Sequence, residues 1–199
     1  IYRYARQKGL LVILFTNGTM ITEEIADLLK EIRPFNVEIS LYGATPEVYE
    51  AVTRVPGSYA KCVRGIKLIH ERGIPLTLKT ELMTLNFQEL AEMKAFADGL
   101  GVKFRYDGLL SPRLDGTGKF PQEVQLPLET LVAFDAEDSE RQESVGKEIE
   151  RLKDLKTRDE RVFSCGAGLR NFHLDSEGRM SICIMLREPS YSLLEVPLM

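Results

Sequence analysis

From Ile1 to about Arg113, short apolar runs alternate with stretches of helical spacing, and this alternation restricts the fold more than any other feature. Leu10 to Phe15 is a continuous apolar run ending at Thr16-Asn17-Gly18, and Ile21, Ile25, Leu28, Leu29 and Ile32 follow at helical intervals. Val37 to Leu41 opens a second unit, with helices expected over Glu47 to Val52 and Tyr59 to Glu71, the latter closed by Gly73. Leu76 to Met83 opens a third. Asn86 and Glu89 are spaced as a capping pair for its helix, which runs to about Leu100, and Val102 to Leu109 follows as a fourth strand. Short strands joined by helical crossovers must lie parallel, and repeated right-handed crossovers give either a doubly wound sheet or a barrel. Periodicity alone leaves both open.

The later chain has another character. Ser111 to Gly118 reads as loop, and Leu128 to about Thr157 as a helix whose second half is highly charged, a solvated bridge. From Phe163 two short apolar strands flank Asp175-Ser176-Glu177-Gly178 in the manner of a hairpin turn.

A net charge of -4 and a pI near 5.4 argue against nucleic-acid and membrane-surface partners, which select a basic face. No apolar run reaches the roughly 20 residues of a membrane helix and no signal peptide opens the chain, so a cytoplasmic location is expected. The chain begins with isoleucine and ends at Met199 soon after a strand-like segment, so truncation on both sides is expected. Three cysteines, Cys62, Cys165 and Cys183, are too few and scattered for a secreted disulfide framework, which leaves metal ligation or burial.

Val37 to Tyr59 has the build of a ligand-binding corner. A strand stopping at Ser40 runs through Gly43 into a helix that Thr45 can cap and Pro46 can begin, and the helix brings up Arg54, with Gly57 beyond it. With these residues the chain resembles a radical SAM enzyme, and within that superfamily the peptide- or protein-modifying enzymes with a C-terminal SPASM extension. The resemblance implies a partial (β/α)6 barrel, an α/β fold in which residues 1–118 supply the third to sixth βα units, 119–160 a helical bridge and 161–199 the start of the SPASM domain. It implies that Ser40 touches the ribose of S-adenosylmethionine and that Arg54 meets its carboxylate. Asn17, in a Thr-Asn-Gly that the family also carries, would face cofactor or substrate. The Leu109 backbone would approach adenine, and Asn86 and Arg113 would stand at strand ends, where such barrels keep their chemistry.

The family's Cys-x3-Cys-x2-Cys loop, which holds the catalytic 4Fe-4S cluster, is absent from these residues and would lie upstream of Ile1, so the chain by itself is expected to be inactive. Cys165, Gly178 and Cys183 are spaced Cys-x12-Gly-x4-Cys, similar to the opening of the SPASM motif, which implies the first ligands of an auxiliary 4Fe-4S cluster. Cys62, in a helix beside Val63 and Ile66, reads as core. His70 reads as structural, His173 as an exposed strand residue, and Asp107 as a barrel-interior carboxylate or ion-pair partner. The implied activity is reduction of S-adenosylmethionine to a 5'-deoxyadenosyl radical that abstracts hydrogen from a peptide or protein substrate. A flavodoxin or ferredoxin would donate the electron. Two other readings fit the same residues: a non-redox α/β enzyme binding an anionic small molecule at the strand ends, and a degenerate barrel that only recognises a peptide.

Overall fold

The computed structural model describes residues 1–115, 117–118, 120–153 and 165–195. The chain divides into two compact units, residues 1–133 and 134–199. The expected bridge, 119–160, falls on both, and its end, with 161–164 and 196–199, lies outside the described residues.

In the first unit, α1 (Tyr2–Gln7) precedes β1 (Ile13–Thr16), α2 (Glu23–Glu31), β2 (Asn36–Ser40), α3 (Pro46–Thr53), α4 (Ser58–Glu71), β3 (Leu76–Glu81), a 3-10 turn (Phe87–Glu89), α5 (Leu90–Gly99), β4 (Lys103–Asp107) and α6 (Phe120–Glu123). The four strands are parallel in the order β1-β2-β3-β4. A doubly wound sheet would reverse direction at a switch point; this one does not, and its two faces differ accordingly. Register places Leu14, Val37 and Leu76 on one face, with Thr16, Ile39, Leu78 and Phe104 one step along it. Those side chains pack with Ala26 and Leu29 of α2, Cys62, Ile66 and Ile69 of α4, and Met93 and Ala97 of α5. Each fully buried aliphatic side chain contributes about 1.5–3 kcal/mol. The opposite face carries Glu38, Ser40, Thr77, Lys79, Glu81, Arg105 and Asp107, the polar interior of a partial barrel.

Several elements depart from the sequence expectations. The first strand begins at Ile13 rather than Leu10, because Leu10 closes α1: its N–H donates to Ala5 O, and its carbonyl accepts from Arg6 at 2.7 Å. Asn86 and Glu89 do not cap α5; their side chains reach other segments, described below. The long helix expected from Leu128 is two, α7 (Leu128–Glu137) and α8 (Ser139–Lys153). They part at Asp138, whose carboxylate accepts the Arg141 N–H at 3.1 Å and so caps the second.

In the second unit, β5 (His173–Leu174) and β6 (Arg179–Ser181) form the expected antiparallel hairpin, and β7 (Ser190–Ser192) adds an unforeseen third strand. The turn is held by Asp175, which accepts the N–H groups of Glu177 and Arg179, and by Gly178 at φ +80. These hydrogen bonds hold the Asp175 carboxyl below its usual range. Among the described residues no helix is long and apolar enough to cross a membrane.

Candidate cofactor and substrate cleft

The corner after β2 is fixed by contacts from several directions. Thr45 accepts the Val48 N–H and Pro46 opens α3, as the local sequence requires. A Cβ on Gly43 would lie 2.6 Å from Tyr49 N, so only glycine fits. Glu89 reaches back from beyond β3 to accept Ala44 N–H at 2.7 Å, Thr45 N–H at 3.1 Å and Thr45 Oγ1 at 2.6 Å. The Tyr59 hydroxyl donates to Ala44 O.

Asn86 ties this corner to the end of β3. It is fully buried, its Oδ1 accepts Met83 N–H at 2.8 Å, and its Nδ2 donates to Tyr42 O and Glu81 O at 3.1 Å, with Thr80 Oγ1 at 3.4 Å. The turn after β1 is seated just as closely. Gly18, at φ +74, lies against Gly65 of α4, where a Cβ would come 2.2 Å from Gly18 O. The sequence did not mark Gly65 and marked Glu89 only as a helix cap, because each acts on a partner more than 40 residues away.

These walls enclose a cleft of about 750 Å³, within the usual range for small-molecule sites. Its lining includes Asn17, Met20, Tyr42, Val55, Glu81 and Leu110, from the end of β3, the loops after β1, β2 and β4, and the α3–α4 turn. Glu81 and Asp107 stand in register on adjacent strands. Burial, then the Asp107 charge, raises the Glu81 pKa. Farther down the same face Glu38 pairs with Arg105, and the Lys79 ammonium sits 4.7 Å from the Phe15 ring centre. Beneath the cleft, Cys62 is buried, its thiol donating to Ser40 O at 3.6 Å and pushed up by burial to about 11. The Tyr49 hydroxyl is buried beside the Cys62 thiol, and burial likewise raises its pKa.

The candidate residues are spread around this cleft rather than gathered in it. Asn17 lines it, with its Oδ1 accepting from Thr19. Ser40 ends β2 on the polar face, next to Lys79 in register, and its hydroxyl has no partner among the described residues. Arg54 caps α3 at φ 58, exposed between Thr53 and Val55, which line the cleft. A non-glycine residue in this left-handed conformation is strained by roughly 1 kcal/mol. Leu109 is exposed and its N–H is held by Asp107, while the adjoining Leu110 is a lining residue. Arg113 forms an ion pair with Asp115 at 3.0 Å. Asn86 has its amide consumed by the wall.

In the second unit Cys165 is exposed and Cys183 half-buried, both as free thiols. The Leu186 N–H donates to Cys183 Sγ at 3.2 Å, the kind of contact that stabilises a metal-bound thiolate. His173 is half-buried rather than exposed, and among the described residues its shielded Nε2 has no partner. Among the described residues no group of three or more His, Cys, Asp or Glu could hold a metal ion.

A family profile described as "Radical SAM superfamily" matches residues 1–99, the segment that forms β1 to β3 with their helices. Residues 1–99 belong to the radical SAM superfamily. Among curated proteins, the chain is 30% identical over 101 residues to an AdoMet-dependent heme synthase of Methanosarcina barkeri, covering 51% of the chain and 29% of that protein. It is 27% identical over 189 residues to the antilisterial bacteriocin subtilosin biosynthesis protein AlbA of Bacillus subtilis, covering 92% of the chain and 40% of AlbA. The chain thus spans well under half the length of these relatives. A solved structure of anSMEcpe with AdoMet and a peptide bound shares the fold, with a TM-score of 0.50 at 21% identity, covering 68% of the chain and 40% of that protein.

The family's cofactors are S-adenosylmethionine and 4Fe-4S clusters. The residues present fit the first: the cleft has the volume, Ser40 presents an unpartnered hydroxyl at a strand end, and Asn17 lines the opening. They fit a cluster only in part. Cys165 and Cys183 are two thiols of the four that a 4Fe-4S centre takes, and the first 99 residues contain the buried Cys62 alone.

Proposed function

We propose that the protein containing this chain modifies a peptide by radical chemistry. Bound S-adenosylmethionine and a reduced cluster would supply a hydrogen-abstracting carbon radical; the chain's own residues orient the cofactor and shape the substrate space. Ser40 holds the cofactor ribose and Arg54 its carboxylate, an interaction worth about 1.5–3 kcal/mol against about 1 for the hydroxyl. The polar sheet face brings Glu81 to the cleft, and Asn86, Glu89 and Gly65 keep the cleft walls in place. Cys165 and Cys183 contribute ligands to an auxiliary cluster. The catalytic cluster's cysteines lie outside these 199 residues.

The observation that carries the peptide reading is the extent of the AlbA match. It runs through both units, whereas the heme synthase match takes in only 51% of the chain. A tetrapyrrole substrate is the second reading, favoured by the higher identity of that shorter match. The experiment is anaerobic incubation of the reconstituted full-length protein with S-adenosylmethionine, a reductant and the peptides encoded beside it, read by mass spectrometry. A two-hydrogen loss or a new cross-link on a peptide supports the first reading; conversion of an iron porphyrin instead supports the second.

A further inference from the structure

The α4 side of the cleft is cationic. Lys61 and Arg64 both line it, with the hydroxyls of Thr19, Thr22 and Ser58 around them. Three residues apart on one helix, they share a face. Both are exposed, and among the described residues neither makes an ion pair. The neighbouring acids are engaged elsewhere or stand off: Glu23 holds Arg72, Glu50 accepts the Tyr59 N–H, and Glu24 shares a second hollow with Arg64 without pairing.

The backbone adds to the same field. α4 runs 14 residues from Gly57 with no side-chain cap and no acid in its first turn, so its positive end adjoins Lys61. A lysine there opposes the helix dipole, an arrangement that folding does not require. Across the cleft, Glu81 is the acidic lining residue, and burial favours its neutral form. The space therefore favours a negatively charged occupant.

We propose that Lys61 and Arg64 dock an acidic segment of the peptide substrate, a run of aspartate or glutamate side chains entering the cleft past Met20 and Val55. This inference rests on the peptide-modifying reading and names the substrate class within it. Charge complementarity of this kind sets specificity and association rate, and it weakens with salt.

The test is fluorescence anisotropy with the full-length protein and a labelled decapeptide of alternating glutamate and glycine, beside its glutamine counterpart. The glutamate peptide should bind about tenfold more tightly at low salt, with the advantage shrinking at high salt. It should disappear in Lys61→Glu/Arg64→Glu, whose fold is checked by circular dichroism. Should that double variant misfold, Lys61→Gln and Arg64→Gln each remove about half of the advantage on a logarithmic scale. Equal affinity for the two peptides, or an advantage that survives charge reversal, overturns the proposal. Equal binding of a thymidine oligonucleotide of the same charge, with the same dependence on Lys61 and Arg64, also overturns it. Failure of the underlying reading shows differently: the unaltered enzyme alters no peptide mass while the glutamate peptide still binds.

Discussion

Replacing Asn86 by alanine tests the claim that this residue builds the cleft wall rather than touching a ligand. The substitution removes the acceptor of the Met83 N–H and the donor to Tyr42 O and Glu81 O, at a position with no solvent exposure. The Met83 amide and the Tyr42 carbonyl lose this partner outright while Glu81 O keeps only a long contact from the Thr80 hydroxyl at 3.4 Å, so at about 1 kcal/mol per group the loss is about 2–3 kcal/mol, the lower end of the range for unsatisfied buried groups. Urea unfolding of the full-length protein, followed by circular dichroism, should show the midpoint fall with the slope unchanged. Asn86→Asp keeps the Met83 contact but sets a carboxylate against two carbonyls. It should be at least as destabilising as alanine near pH 7 and partly recover in acid, where a protonated carboxyl donates again. A loss below about 1 kcal/mol for Asn86→Ala, with weakened binding of S-adenosylmethionine, would refute the wall assignment.

Gly65→Ala should cost about 1–3 kcal/mol by overpacking and shift the Thr16-Asn17-Gly18 turn, seen as altered amide exchange at Gly18. Arg54→Gly should raise stability by up to about 1 kcal/mol by relieving the left-handed backbone, while weakening S-adenosylmethionine binding by about tenfold or more; thermal melts and equilibrium dialysis read the two opposite signs. Glu81 is raised by burial and by Asp107, so the folded protein holds its proton more tightly and stability falls as pH rises above the ordinary carboxyl value. Glu81→Gln should therefore gain stability over the unaltered protein at neutral pH and match it at pH 4, as melting curves at the two pH values would show. In cluster-free protein Cys165 should react first with a thiol reagent and Cys62 only on unfolding, whereas cluster loading should protect Cys165.

How much of this was legible in the sequence follows from the range of each interaction. Thr45, Pro46 and Gly43 declare themselves because a cap and a tight turn act within a few residues, and the hairpin around Asp175 is local in the same sense. The choice of barrel over doubly wound sheet rested on family resemblance; the strand order and the single polar face supply a physical reason for it. Asn86 and Glu89 looked like a capping pair because their spacing suits one, but Asn86 is claimed by Met83 and by Tyr42, 44 residues away, and Glu89 by Ala44, 45 residues away. Gly65 carries no local signal at all; its need for hydrogen in place of a Cβ exists only once the turn at Gly18 rests on it. The helix break at Asp138 was readable as a cap, yet the surrounding helix formers hid it.

The most direct test of the account is production of 5'-deoxyadenosine from S-adenosylmethionine by the reconstituted, reduced full-length protein, measured chromatographically under anaerobic conditions. The account predicts product that depends on reductant and falls in Arg54→Ala. A protein that binds iron and sulfide yet releases no 5'-deoxyadenosine, with or without its peptide, would contradict it.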